Sequence, residues 1–260
     1  MGTGLLISVI IIVIAAVFSF KYMRKDASKY IVPANARQLL SDHVTFYSQL
    51  DDANKLLFET RIKDFLENVM IRGVDVKAED LDRVLVAAGA IIPIFAFPDW
   101  KYNNISEVLL YKDTFDKDFK TTGVTRNVLG MVGDGAMRRE MLLSQPSLRA
   151  SFRNAGDGHN TAIHEFAHLI DKADGEADGL PEYLLEKPYI LPWISLMHDT
   201  IEDIKRSSNP DINPYGAAND AEFFAVISEY FFERPNELKE HHAELYVMLE
   251  RMFHPPDVTA

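Results

Sequence analysis

Asn160-Thr161-Ala162-Ile163-His164-Glu165-Phe166-Ala167-His168-Leu169-Ile170-Asp171 is the stretch from which the rest of this chain is read. It contains His-Glu-x-x-His. On a helix, residues four apart project from one face, one turn apart, so His164 and His168 present two imidazoles to a single ion. Glu165, beside the first of them, stands where a general base acts on a zinc-activated water. Asn160 is a good N-cap. Ile163, Phe166, Ala167 and Ile170 supply apolar surface for burial. Asp171, one turn past His168, is expected to orient an imidazole from behind. The plainer reading is an amphipathic helix with two incidental histidines. The apolar surroundings and a matching helix downstream favour a site.

Two histidines do not hold a catalytic zinc alone, because such sites use three protein ligands and keep a position for water. His159, His198, His241, His242 and His254 are available, but none sits in a convincing constellation. The metzincin continuation is absent, since the chain runs Leu169-Ile170-Asp171-Lys172-Ala173-Asp174. A carboxylate from another helix is the better candidate. Glu222 and Glu229 lie seven apart on a helix expected over 221–232, hence on one face. Their neighbours Phe223, Phe224, Ala225, Val226 and Ile227 are apolar, and carboxylates in such company need a partner that a cation supplies. The two are about 10 Å apart along the axis, so both cannot bind one ion. Spacing alone does not choose between them.

The chain of 260 residues is long enough for a sizeable core. Its net charge of −12 argues against nucleic acid, which needs a basic face. The absence of cysteine excludes disulfides and any thiolate metal site or nucleophile. Residues 2–20 carry no charge, and Lys21, Arg24 and Lys25 follow at once. That run is just long enough to span a bilayer, and Phe18-Ser19-Phe20 is a poor cleavage site. An uncleaved single-pass anchor over 1–21 is expected. The basic residues place the rest of the chain in the cytoplasm, as for a bacterial inner-membrane protein. A polar linker is expected over 22–43 and one domain over 44–255.

Within that domain the pattern predicts a helix capped by Asp51 or Asp52 and running to Val69, a strand over 71–76 and a helix over 78–91. A strand follows over 105–111, with weaker ones at 124–132 and 141–143 joined by Gly133-Asp134-Gly135. An edge strand just before the His164 helix would suit a peptidase, whose extended substrate can extend a sheet. The acidic loop from Asp174 to Pro181 lacks the EF-hand spacing for calcium. Helices are expected over 190–206, 221–232 and 236–253.

The block Gly156-Asp157-Gly158-His159-Asn160 leading into His164-Glu165-Phe166-Ala167-His168-x-x-Asp171, and the block from Tyr215 through Glu222 to Phe232, resemble the Mlc titration factor A (MtfA) family of zinc peptidases. The resemblance covers roughly residues 44 to 255. It implies Zn²⁺ held by His164, His168 and Glu222, with Glu165 as base and Tyr215 as a catalytic hydroxyl. The apolar N-terminus departs from the family's soluble founding member. The expected fold is α+β, with a smaller N-terminal mixed region packed on a zincin-like core. The expected function is zinc-dependent hydrolysis of a peptide or protein substrate, of the gluzincin type and aminopeptidase-like by that resemblance. The alternative is a catalytically weak, zinc-stabilised domain that binds a regulatory protein partner at the membrane. A weaker one is hydrolysis of a non-peptide amide.

Overall fold

The computed structural model describes residues 32–115, 128–133, 138–208 and 210–254. The anchor expected over 1–21 and the turn at Asp134-Gly135 lie outside the described residues. Among the described residues no helix is long and apolar enough to cross a membrane.

The expected linker proves to be folded from Ala36. Helix α1 (Ala36–His43) and the short α2 (Thr45–Gln49) belong to the same compact unit as everything downstream. The reason is apolar: Leu40, Val44 and Tyr47 are buried to within 1%. Asp51 then accepts the Asn54 amide at 2.8 Å and starts α3 (Asp52–Asn68), which buries Phe58, Ile62, Phe65 and Leu66. Strand β1 (Met70–Val74) follows.

Helix α4 (Asp80–Ile91) opens with a capping box between Glu79 and Asp82. From Val84 to Ile91 it is buried throughout, so it forms the centre of the helical core rather than a surface stripe. Asp82, fully buried, also takes Gln145 Nε2 at 2.7 Å and Arg149 Nε at 2.6 Å from α5 (Gln145–Arg153). Helix α5 was not foreseen, although Ser144 as cap and Pro146 in the first turn are start signals.

The sheet runs β1-β2-β4-β3, with β2 (Glu107–Tyr111), β3 (Gly130–Val132) and β4 (Glu140–Ser144). β1, β2 and β4 are parallel, and β3 is antiparallel to β4 with Met131 opposite Leu142. Among the described residues β3 is therefore an edge strand, and it packs on α6 (Thr161–Asp171), which carries His-Glu-x-x-His. On its other side α6 crosses α4, where a Cβ on Gly89 would fall 2.5 Å from the Ala162 Cβ. Only glycine admits so close a crossing.

Helix α7 (Lys187–Arg206) covers the remaining apolar surface with Trp193 and Met197. A 3-10 turn (Pro214–Ala217) leads into α8 (Asp220–Glu233), which packs along α6. The single helix expected over 236–253 is two, α9 (Pro235–His241) and α10 (Ala243–Phe253), broken at His242.

Candidate metal centre

Two asparagine caps set the site. Asn160 Oδ1 accepts the Ile163 amide at 3.1 Å and starts α6. Asn219 Oδ1 accepts the Glu222 amide at 2.9 Å and starts α8. Their packing brings His164, His168 and Glu222 together, with one donor atom from each within 4.8 Å of the others. The closest approaches are 3.2 Å between the two Nε2 atoms, 3.1 Å from His164 Nε2 to Glu222 Oε2, and 3.4 Å from His168 Nε2 to the same oxygen.

These spacings test whether the residues fit a metal. Donors about 2.0–2.1 Å from a tetrahedral zinc are separated from one another by about 3.3 Å. The triangle found here has that size. A proton shared between His164 Nε2 and Glu222, or a metal ion, can each hold these groups together. Glu229 Oε1 lies 2.6 Å from His164 Nδ1, and Asn160 N donates to Glu229 Oε2 at 2.6 Å. A carboxylate so placed favours the tautomer with the proton on Nδ1, which leaves the His164 Nε2 lone pair facing the other donors. A positive charge among them, a proton or a metal ion, resolves that repulsion.

The electrostatics agree. Burial works against a charged His164, but the Glu222 and Glu229 carboxylates outweigh it and raise its pKa to about 10. Burial likewise pushes Glu222 up, and the two imidazoles overcome it, holding the carboxyl well below its usual range. The field that favours an imidazolium favours a metal cation at the same point.

Glu165 is buried, 5% exposed, and burial raises its pKa against the opposing pull of His164 and His168. A carboxyl shifted upward is better matched to taking and returning a proton near neutral pH. Gly130 of β3 gives it room: a Cβ there would lie 2.6 Å from Glu165 Oε1. Tyr215 Oη donates to Glu222 Oε1 at 3.2 Å. Burial and the nearby Glu222 push its hydroxyl up to about 12, so it remains a proton donor across the neutral range.

These groups line one cleft of about 880 Å³. Its walls are β3, the loop at Ala177 and Asp178, and the start of α8.

Asp171 does not orient an imidazole as expected. Its Oδ2 accepts the Gly179 amide at 3.0 Å, and Oδ1 has no hydrogen-bond partner among the described residues. Glu229 takes the orienting role. Glu233, one turn further on, accepts Asn160 Nδ2 at 2.9 Å and the Gly156 amide at 2.6 Å. The other histidines considered as ligands are elsewhere. His198 pairs with Asp220, His241 and His242 with Asp211, and His254 with Glu250, while His159 approaches Asn213. Sequence reasoning missed Gly130, whose only signal was its place in a candidate strand before the motif helix.

Comparison with known proteins supplies an independent line. The sequence profile of a family described as "Glucose-regulated metallo-peptidase M90" matches residues 19–254. An uncharacterized protein of Synechocystis sp. is 26% identical over 265 residues, covering 96% of each chain. Mlc titration factor A of Pectobacterium atrosepticum is 27% identical over 177 residues, 62% of this chain and 64% of the relative. The same-named protein of Edwardsiella ictaluri is 31% identical over 128 residues, covering 46% and 48%.

Proposed function

The chain belongs to the glucose-regulated metallo-peptidase M90 family, and on that premise we propose that it is a zinc-dependent peptidase with the cleft beside β3 as its active site. His164, His168 and Glu222 are the zinc ligands in this reading, a gluzincin-type set. The observation that carries it is the triangle of donors with sides of 3.2, 3.1 and 3.4 Å, the size a tetrahedral zinc requires.

Bound there, zinc supplies Lewis acidity, bringing the pKa of water to about 7 and polarising a carbonyl. Glu165 takes the proton from the attacking water and returns it to the leaving amine. Tyr215 Oη turns from Glu222 to donate to the oxyanion that develops on the scissile carbonyl. Glu229 holds His164 in register through Nδ1. An extended peptide adds its backbone to the open edge of β3, which lines the cleft. Aminopeptidase-like action is the finer part of the proposal. So is a cytoplasmic catalytic domain held at the membrane by residues 1–21.

Metal analysis of the purified protein, paired with a peptide screen run with and without chelator, tests the reading. One zinc per chain and chelator-sensitive cleavage are expected. Zinc without cleavage of any peptide would leave a metal-stabilised binding domain instead. Absence of any bound metal would remove the proposal. For topology, protease added to intact cells should leave the folded domain uncut, and cleavage from outside would reverse the orientation.

A further inference from the structure

A second cavity, of about 520 Å³, lies between α3, the end of α4 and the loop from Pro98 to Ile105. It shares no lining residue with the metal cleft. Leu57, Phe65, Ile94, Trp100 and Tyr102 give its walls apolar and aromatic surface, interrupted by polar and charged side chains. Phe65 and Tyr102 lie against the ring of Phe166 on α6, at 5.6 and 5.1 Å between centroids. Phe166 is the residue next to Glu165.

Set into these walls is Arg61, only 8% exposed. Its Nη1 donates to the carbonyls of Ile94 at 2.6 Å and Phe95 at 3.0 Å, and its Nη2 to Trp100 O at 3.2 Å. That leaves the Nε–H and one Nη2–H without a partner among the described residues. Nε and Nη2 form the edge of a guanidinium that grips a carboxylate with two parallel hydrogen bonds. No carboxylate among the described residues pairs with Arg61. The carbonyls meet part of its hydrogen-bonding need but carry no full charge, and a buried cation without a counter-ion is costly. Burial accordingly lowers its pKa, with Tyr102 and Asp64 only partly opposing.

The rim has the same sign. Lys101 is neutralised by Asp64 at 2.9 Å, but among the described residues Arg139 donates to the carbonyls of Asn103 at 2.7 Å and Ile105 at 3.4 Å and meets no carboxylate. The lining thus holds three cations and one anion in a chain of net charge −12.

We propose that this cavity is a binding site for a small amphipathic carboxylate, its charged end gripped by the Nε and Nη2 edge of Arg61 and its apolar body lying against Trp100, Tyr102 and Phe65. The site is separate from the metal cleft and does not depend on the peptidase reading. Phe65 and Tyr102 stand between an occupant and Phe166, the neighbour of the proposed base on α6.

The test is titration of the full folded domain with phenylacetate, indole-3-acetate and octanoate, followed by protein NMR or calorimetry. Phenylacetamide serves as the uncharged isostere, and acetate and inorganic phosphate as anions without an apolar body. At least one of the three carboxylates should saturate below about 10 mM, the affinity that a ligand of this size reaches in a modest site. Phenylacetate should bind about tenfold or more tighter than phenylacetamide, because the amide lacks the negative charge and offers one acceptor oxygen to the guanidinium edge in place of two. Arg61→Gln should abolish that preference. Because Arg61 also ties down the carbonyls after α4, that variant can fail to fold. Leu57→Trp, on the 38% exposed mouth residue, should then block binding while the fold is kept. Binding should persist in Glu222→Gln, which separates this result from the fate of the metal site. The proposal is overturned if none of the three saturates, if the amide binds as well as the acid, if acetate or phosphate binds as tightly as the amphipathic acids, or if folded Arg61→Gln or Leu57→Trp binds as the parent does.

Discussion

Replacing Gly130 by alanine puts a single methyl group against the proposed catalytic base. The added Cβ would lie 2.6 Å from Glu165 Oε1, 2.7 Å from Cγ and 2.9 Å from Cδ. Ordinary contact begins near 3.4 Å, so the Glu165 side chain or β3 must give way by about 0.5–0.8 Å. Among the described residues β3 is paired on one side, Gly130 with Leu143 and Val132 with Met141 on β4, so part of the strain will lift the strand. Both responses move the carboxylate relative to the Nε2 and Oε2 donors. A misplacement approaching 1 Å costs about 10²-fold in rate, while the overpacking itself costs about 1–3 kcal/mol of stability. The backbone of Gly130 is not in the left-handed region, so the effect is one of space rather than of torsion. The assay is kcat and KM on a peptide that the parent cleaves, with zinc stoichiometry and melting temperature measured on the same sample. Zinc should stay at the parent level, and kcat should fall by about 10². A cycle with Glu165→Asp adds a control, because the shorter side chain relieves the clash and the two losses should not add. Full kcat in zinc-loaded Gly130→Ala would refute the placement of Glu165 behind β3 and its role with it.

Three further outcomes follow from the same geometry. Glu165→Gln keeps the shape but removes the base, so zinc should remain while turnover drops by about 10² or more; full activity with metal bound would sink the mechanism. Glu222→Gln should lose most zinc under mild chelation, whereas Glu229→Gln, replacing a carboxylate that hydrogen-bonds His164 Nδ1 and the Asn160 amide, should weaken affinity by about 10–100-fold and lower the melting temperature. The reverse order, read by competition with a zinc chelator, would reassign the ligand. Burial raises the Asp171 carboxyl from 3.8 to about 7, against the pull of the Gly179 amide, so the folded state holds this proton more tightly than the unfolded chain. Its contribution to stability is fully present below the unfolded value and is lost as pH rises through about 7. In chelator-treated protein, Asp171→Asn should therefore gain on the parent between pH 4 and 8 in urea unfolding, and a difference that stays flat would refute the shift.

What the sequence discloses here depends on the range of each cause. The start of α6 at Asn160, the buried run of α4 and the convergence of His164 and His168 follow from local rules of capping and periodicity. The packed helices α1 and α2 do not, because their sequences are polar overall and only Ala36, Leu40, Val44 and Tyr47 of this stretch are buried. The break at His242 is equally silent in a pattern that stays amphipathic across it. Gly130 was invisible as a site residue for a different reason. Its importance is an absence of atoms, and the space it leaves is defined only once β3 lies on α6.

The carboxylates of α8 show how far periodicity goes before tertiary structure must decide. Glu222, Glu229 and Glu233 stand at i, i+7 and i+11, so helical spacing places them on one face and makes them equivalent. Packing against α6 separates them. The axis of α8 runs past the start of α6, and each glutamate meets a different depth of that helix. Glu222 faces the Nε2 atoms and points at the cleft. Glu229 faces His164 Nδ1 on the opposite edge of the ring. Glu233 reaches only the Asn160 cap and the Gly156 amide before it. Asp171, expected from the sequence to orient an imidazole, is drawn off by the loop amide of Gly179. One stripe of acid thus supports the imidazole, its tautomer and the cap of its helix in turn. A substitution anywhere along the stripe should reach the metal with an effect that weakens in the order Glu222, Glu229, Glu233, because each step adds one hydrogen bond between the altered group and the donors.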